Sequence, residues 1–328
     1  MKGDTLFGHF CWQVVHHPEL VKGGLESVIN SYSERPFVIF SSAFPRLEGP
    51  KQGDVIYLFP RPSVPISWFI DDTYPSRLER YKAAEKIKER RWLRGDKGFR
   101  VELKAQSLLD EAAVREELRH RVSWIGQNGL SRPVAGGLSV VVGQAHNTIN
   151  RLTGTTGTGE FAPFSKDDTW FLPGVELALF VLVDQEQTSI EKVRKGLEEI
   201  GRLGFGRDAS TGLGRFEVTK HERIEISQEP GLNACYTLSP CVPEMAGVKD
   251  LYFTPFVRFG KHGDYMAVGG NPFKNPVIFA DEGAVLVPKD DSLFVRPYVG
   301  RAIGGLSKQE PATVTQGYAP YLPLRLEG

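Results

Sequence analysis

Leu6, Phe10 and Val14 recur at the spacing of one helix face, with Phe7 and Cys11 beside them, and Asp4 stands where a cap belongs. The pattern predicts a helix over 4–15. Apolar runs at 37–44 and 55–59 predict two strands, and Pro60, Pro62 and Pro65 a rigid turn after them. The Lys/Arg-rich stretch 77–104 predicts a helix over 81–94 and a short strand over 98–103. The clearest periodicity places Ile190, Val193, Leu197, Ile200 and Leu203 on one face, opposite Glu191, Lys192, Arg194, Lys195, Glu198 and Glu199. That helix runs into a glycine-rich loop, and 215–219 then alternates like a strand. Beyond residue 230 the chain is rich in Gly, Pro and β-formers, which predicts strands and loops. The whole reads as α+β.

Composition narrows this modestly. A length of 328 residues predicts two domains. The hydrophobic fraction of 41% and charged fraction of 24% are those of a well-packed globular chain. Forty Lys and Arg balance forty Asp and Glu, so any nucleic-acid contact must come from local clustering. Cys11, Cys235 and Cys241 are odd in number and form no C-x-x-C pair, which argues against a disulfide framework or a zinc site. No apolar run approaches the roughly 20 residues of a membrane span, and no signal-peptide core follows Met1. The expectation is a cytoplasmic chain without membrane, metal or cofactor.

The loop 204–215 has the glycine density of a phosphate-binding turn. Rossmann and P-loop sites run strand, loop, helix, whereas here the order is helix, loop, strand and no Gly-Lys-Ser/Thr occurs. A nucleotide-binding enzyme is thereby disfavoured. What survives is a loop whose Gly204, Gly206, Gly212 and Gly214 turn backbone amides toward an anion, with Arg207, Arg215, Ser210 and Thr211 adding side-chain donors. Such a set suits a sugar-phosphate backbone; the alternative is a connection built for tight packing.

The form G-x-G-x-x-x-x-x-G-x-G-R-F, at 204–216, resembles the signature loop of the RAMP superfamily of CRISPR proteins. The segment from Gly3 to Trp12 resembles the first helix of the Cas-five-like fourth subunit of type III-A (Csm) effectors, and 146–154 a segment leading into a thumb-like hairpin. The ending 317–324 is similar to the C-terminus of that subunit. The resemblance implies two ferredoxin-like (RRM-like) domains with a thumb-like β-hairpin: 1–145 completed by 146–220, then 221–328. Relatives begin with a strand before the Gly-Asp-Thr helix, so a truncated front is expected, leaving the first sheet short of a strand with apolar surface exposed. The resemblance also implies a non-catalytic subunit that binds the 5′ repeat-derived tag of the crRNA and docks a large Cas-ten subunit and a neighbouring RAMP backbone subunit.

Asn150, Arg151, Thr153 and Arg202 join the loop residues as candidate RNA contacts. Phe161 and Phe164 read as hairpin anchors in the core, or as wedges against a base. Among the histidines, His9 is a candidate general acid or base only if the chain is instead a metal-independent endoribonuclease that processes repeat RNA; a lone histidine beside Phe10 and Trp12 is more often a packing residue. His16 and His17 read as a surface turn. Asp71-Asp72 and Asp167-Asp168 read as loop or solvated pairs, because neighbouring aspartates point apart. The basic stretch 77–104, with Trp92, reads as a solvated face or as a track for RNA or a partner subunit.

Overall fold

The computed structural model describes residues 1–49, 51, 53–70, 76–121, 137–159, 162–206, 208–226, 231–290 and 294–326. Helices are α1 (Gly3–His16), α2 (Gly24–Asn30), α3 (Arg77–Glu89), α4 (Glu111–Arg121) and α5 (Ile190–Leu203). A first sheet has the order β4-β3-β2-β1-β7, with β1 (Val38–Glu48), β2 (Val55–Pro60), β3 (Trp92–Gly95), β4 (Leu108–Leu109) and β7 (Val175–Val183). A two-stranded ribbon pairs β5 (Ser139–His146) with β6 (Phe164–Phe171). The second sheet, β13-β14-β8-β12-β9, uses β8 (Ala234–Thr237), β9 (Val248–Tyr252), β12 (Val285–Pro288), β13 (Tyr298–Gly300) and β14 (Tyr318–Leu324). A second ribbon joins β10 (Pro255–Arg258) to β11 (Val277–Ala280). The named strands pair antiparallel throughout.

The two sheets share one apolar layer, in which Phe44, Tyr57, Phe59 and Phe180 meet Tyr236, Val285 and Leu322. The opposite face of the first sheet is closed by Val114 and Leu118 of α4 over Leu47, Ile56 and Leu58. Helices α1, α2 and α5 cover the lower end of β1 and β7, burying Leu6, Phe7, Phe10, Val14, Val193, Leu197 and Ile200. Polar bonds lock the two halves together. The Gln316 carboxamide accepts from the Phe40 amide at 3.0 Å and donates to its carbonyl at 2.8 Å, completing the edge of β1. Lys2 pairs with Asp281 and Glu282 at 2.5 and 2.7 Å. The cysteines are free thiols, and burial pushes those of Cys235 and Cys241 up to about 12, leaving them neutral.

Several expectations are corrected. Asp4 caps nothing: the cap position is Lys2, and Asp4 sits in the first turn, buried, holding the Arg258 guanidinium through both carboxylate oxygens at 2.7 and 3.0 Å. The basic helix is displaced to Arg77–Glu89, because Ser76 caps it and the chain is already extended at Arg90, ahead of β3. Residues 98–103 contain no strand beyond an isolated bridge from Val101 to Leu324. Alternation at 215–219 does not make a strand either, since no described neighbour offers it a ladder. Instead Phe216 and Val218 lie against the α1/α5 core. Ile190 and Leu203 end the apolar stripe of α5 in solvent, at 37% and 61% exposure, because the core beneath spans only the middle of the helix. Strand β7 stands at the edge of the first sheet with most of its apolar side chains half-buried.

Candidate nucleic-acid interface

Helix α5 forms because Ser189 caps it, accepting from the Lys192 amide at 3.3 Å, and because its apolar stripe packs on α1. It ends where the Gly204 amide donates to the Ile200 carbonyl at 2.7 Å, and the chain leaves with Gly204 at φ +102°. A methyl group on Gly204 would collide with the Leu213 carbonyl, and one on Gly214, at φ +70°, with the Phe205 backbone. These two glycines let the outgoing and returning strands of the loop close on each other.

The closure determines which groups face outward. Phe205 donates to the Gly214 carbonyl at 2.8 Å, Thr211 to the Asp208 carbonyl at 3.0 Å, Gly212 to that of Ala209 at 2.9 Å and Phe216 to that of Gly201 at 3.3 Å. The amides expected to cradle an anion are therefore mostly spent inside the loop, which corrects the backbone-nest reading. The Thr211 hydroxyl is also turned inward, donating to the Asp208 carbonyl at 2.8 Å. Outward lie Ser210 and Arg215, both exposed, and Arg215 has no acidic partner among the described residues. Arg202 is exposed on the last turn of α5 and pairs with Glu199 at 3.2 Å. Arg207, Phe161, Asp71 and Asp72 lie outside the described residues.

Two elements far away in sequence are brought to this loop. His9, on α1, accepts the Gly206 amide at its Nε2 at 3.4 Å and places its ring 4.9 Å from that of Phe205. Burial pushes its pKa below the ordinary histidine value, so the neutral ring that can accept is favoured. A folded-state pKa below the unfolded value of about 6.5 means that this stabilisation is present above that pH and lost as pH falls through the folded value. The difference in thermal midpoint between the parent and His9→Phe is accordingly expected to shrink on acidification, and a pH-independent difference would refute this.

The ribbon is the second element. Lys166 of β6 reaches both Asp168 of its own strand, at 3.6 Å, and Asp208 of the loop, at 3.4 Å. Register places His146, Phe164, Lys166, Asp168 and Trp170 on one face of the ribbon. Asp168 is buried there while Asp167 is exposed, so the adjacent carboxylates do point apart. Phe164 is not a core anchor: it is 56% exposed and stacks on His146 with centroids 5.1 Å apart, because the ribbon projects beyond the sheets. At the turn beyond β5, Asn150 spends its side-chain oxygen on the Leu152 amide at 2.9 Å, and the Thr153 hydroxyl lies 2.9 Å from that of Thr155. Arg151 is exposed beside a fully solvated Leu152, 97% accessible. Asp168, read from sequence as part of a loop or solvated pair, is instead a buried strand residue paired with Lys166, and Lys166, His146 and Leu152 were not singled out as contacts, because their place depends on a ribbon register that no motif encodes.

A helix carrying a glycine-rich loop onto antiparallel sheets, with a projecting ribbon tied to that loop, makes a mixed α+β fold. The chain is similar to a chain in the crystal structure of a Csm1-Csm4 cassette in complex with cA4, with a TM-score of 0.51 and 18% identity over 100% of this chain and 93% of that one. It is also similar to a chain of the Csm3-Csm4 subcomplex of the type III-A CRISPR-Cas interference complex, with a TM-score of 0.48 and 14% identity over 98% and 93%. No family model matches the sequence, and no curated protein matches it. The first of these likenesses shows a shared mixed α+β fold along the whole chain. No helix among the described residues is long and apolar enough to cross a membrane.

Proposed function

We propose that the chain is a non-catalytic RNA-binding subunit of a type III CRISPR ribonucleoprotein effector. In this reading the glycine-rich loop and the ribbon hold the 5′ repeat-derived tag of the crRNA, while the body docks a large Cas-ten subunit and a neighbouring RAMP backbone subunit. The observation that carries it is the loop itself: its amides are folded inward, its outer rim presents Ser210 and Arg215 to solvent, and Lys166 ties it to the ribbon. An unpaired guanidinium beside an exposed hydroxyl suits a phosphodiester backbone held without base readout. The whole-chain fold match to a chain of a Csm1-Csm4 cassette supports membership of such an assembly.

The test is binding and cleavage of labelled repeat-derived RNA by the purified chain and its Arg207→Ala/Arg215→Ala variant, across salt concentrations, with and without Mg²⁺. Binding without turnover is expected, with the variant weaker by at least about tenfold and its salt slope reduced by about 1.4 units for two phosphates no longer neutralised. One observation favours a second reading, a metal-independent endoribonuclease: His9 touches the loop and is held neutral, as a general base must be. Site-specific cleavage abolished by His9→Ala would establish that reading and remove the first.

A further inference from the structure

Helix α3 is an almost unpartnered element: Ile87 is its one buried residue. Lys82 and Lys86, four residues apart, line a groove of about 590 Å³ together with Arg90, Glu79 and Ala105. At 1.5 Å of rise per residue Lys82 and Lys86 lie about 6 Å apart along one side of the helix, and Arg90 follows them at its C-cap. Neither lysine has an acidic partner among the described residues, and Glu79 is the one carboxylate on the groove. Like charges at that spacing repel and destabilise an isolated helix. The helix dipole does not call for them, because the Arg61 guanidinium already donates to the carbonyls of Ile87, Lys88 and Arg90, at 2.8, 3.2 and 3.0 Å. Arg90 donates to the Ala105 carbonyl at 2.7 Å, which fixes the groove's second wall. Beside the stripe, Leu78 and Tyr81 are each 62% exposed one turn apart, an unusual use of apolar surface on a charged helix.

We propose that α3 and its groove form a second nucleic-acid contact, separate from the glycine-rich loop, that takes successive phosphates of a single strand along Lys82, Lys86 and Arg90 and offers Tyr81 as a stacking surface. The cation interval is close to the phosphate repeat of an extended strand, and no side chain of the groove is arranged to read base edges. The site is therefore sequence-independent.

The experiment measures binding of polyuridylate RNA and polythymidylate DNA by the full chain, its Lys82→Ala/Lys86→Ala variant and Arg215→Ala, over a range of salt. Both lysines are on an exposed helix, and an unchanged thermal midpoint verifies that the double variant is folded. The expected result is about a tenfold loss on both strands, with the salt slope smaller by about 1.4 units, since two phosphates are released at about 0.7 each. Tyr81→Ala weakens binding without changing the slope. Unchanged binding and slope in the lysine variant, or no binding of either strand by the parent, overturns the proposal. Loss of polyglutamate binding with nucleic-acid binding intact also overturns it, in favour of an acidic protein partner. If Arg215→Ala is silent while the lysine variant loses binding, the loop reading fails and this one stands.

Discussion

Replacing Arg258 by alanine is expected to lower the stability of the fold by about 3–5 kcal/mol, read as a shift of the urea midpoint, because it strands a buried carboxylate. The Asp4 side chain is 2% exposed, and its partner reaches it from the β10–β11 ribbon, 254 residues away in sequence. Both carboxylate oxygens are bound by the guanidinium fork, and Phe256 lies beneath that fork with its centroid 4.7 Å away. Arg258→Lys is expected to recover only part of the loss, since an ammonium cannot make the two parallel bonds. In a double-mutant cycle, Asp4→Ala/Arg258→Ala should cost clearly less than the sum of the two single changes. Additive costs would show that the pair contributes little and that α1 is held by its apolar face alone.

This clamp also marks the limit of what the sequence discloses. The periodicity of α1 was plain, and Leu6, Phe10 and Val14 are buried as it requires. Yet an acidic residue at the start of a helix reads as a cap, and nothing local distinguishes a cap from half of a long-range ion pair. The middle of α5 was legible for the same reason as α1, while its two ends were not, because burial there depends on how far the underlying sheet extends. Alternation at 215–219 failed as a strand signal because a strand needs a neighbour as well as a pattern. In the candidate interface, the glycines announced the loop and the resemblance implied a use for it, but neither gave the direction of its amides. The bond from Gly206 to His9 spans 197 positions, and the Lys166 link depends on register, so neither has a local signature.

The largest effect on RNA binding is expected from Gly214→Val rather than from any single cation. Gly214 is at φ +70°, a conformation that costs a β-branched residue on the order of 1–3 kcal/mol. Its added side chain would also displace the Phe205 carbonyl and amide, which stand against the glycine. Moving Phe205 breaks the bond that closes the loop and disturbs the tilted ring contact with His9, and the segment that carries Arg215 shifts with it. The buried core beneath stays closed, because Gly214 is exposed and Phe205 packs only against the margin of that core as a partly buried residue. Repeat-RNA binding is therefore expected to weaken by about a hundredfold, more than in Arg215→Ala, because the whole rim that positions the strand moves at once. The thermal midpoint should fall only slightly. Gly212→Val serves as the comparison: its φ of +87° carries a similar backbone penalty for the same residue, but no atom stands within contact range of the added Cβ, so the loop can strain without opening. Equal losses in the two variants would mean that flexibility, rather than the closed shape of the loop, supports the grip. A Gly214→Val variant that binds as the parent does would remove the loop from the interface altogether.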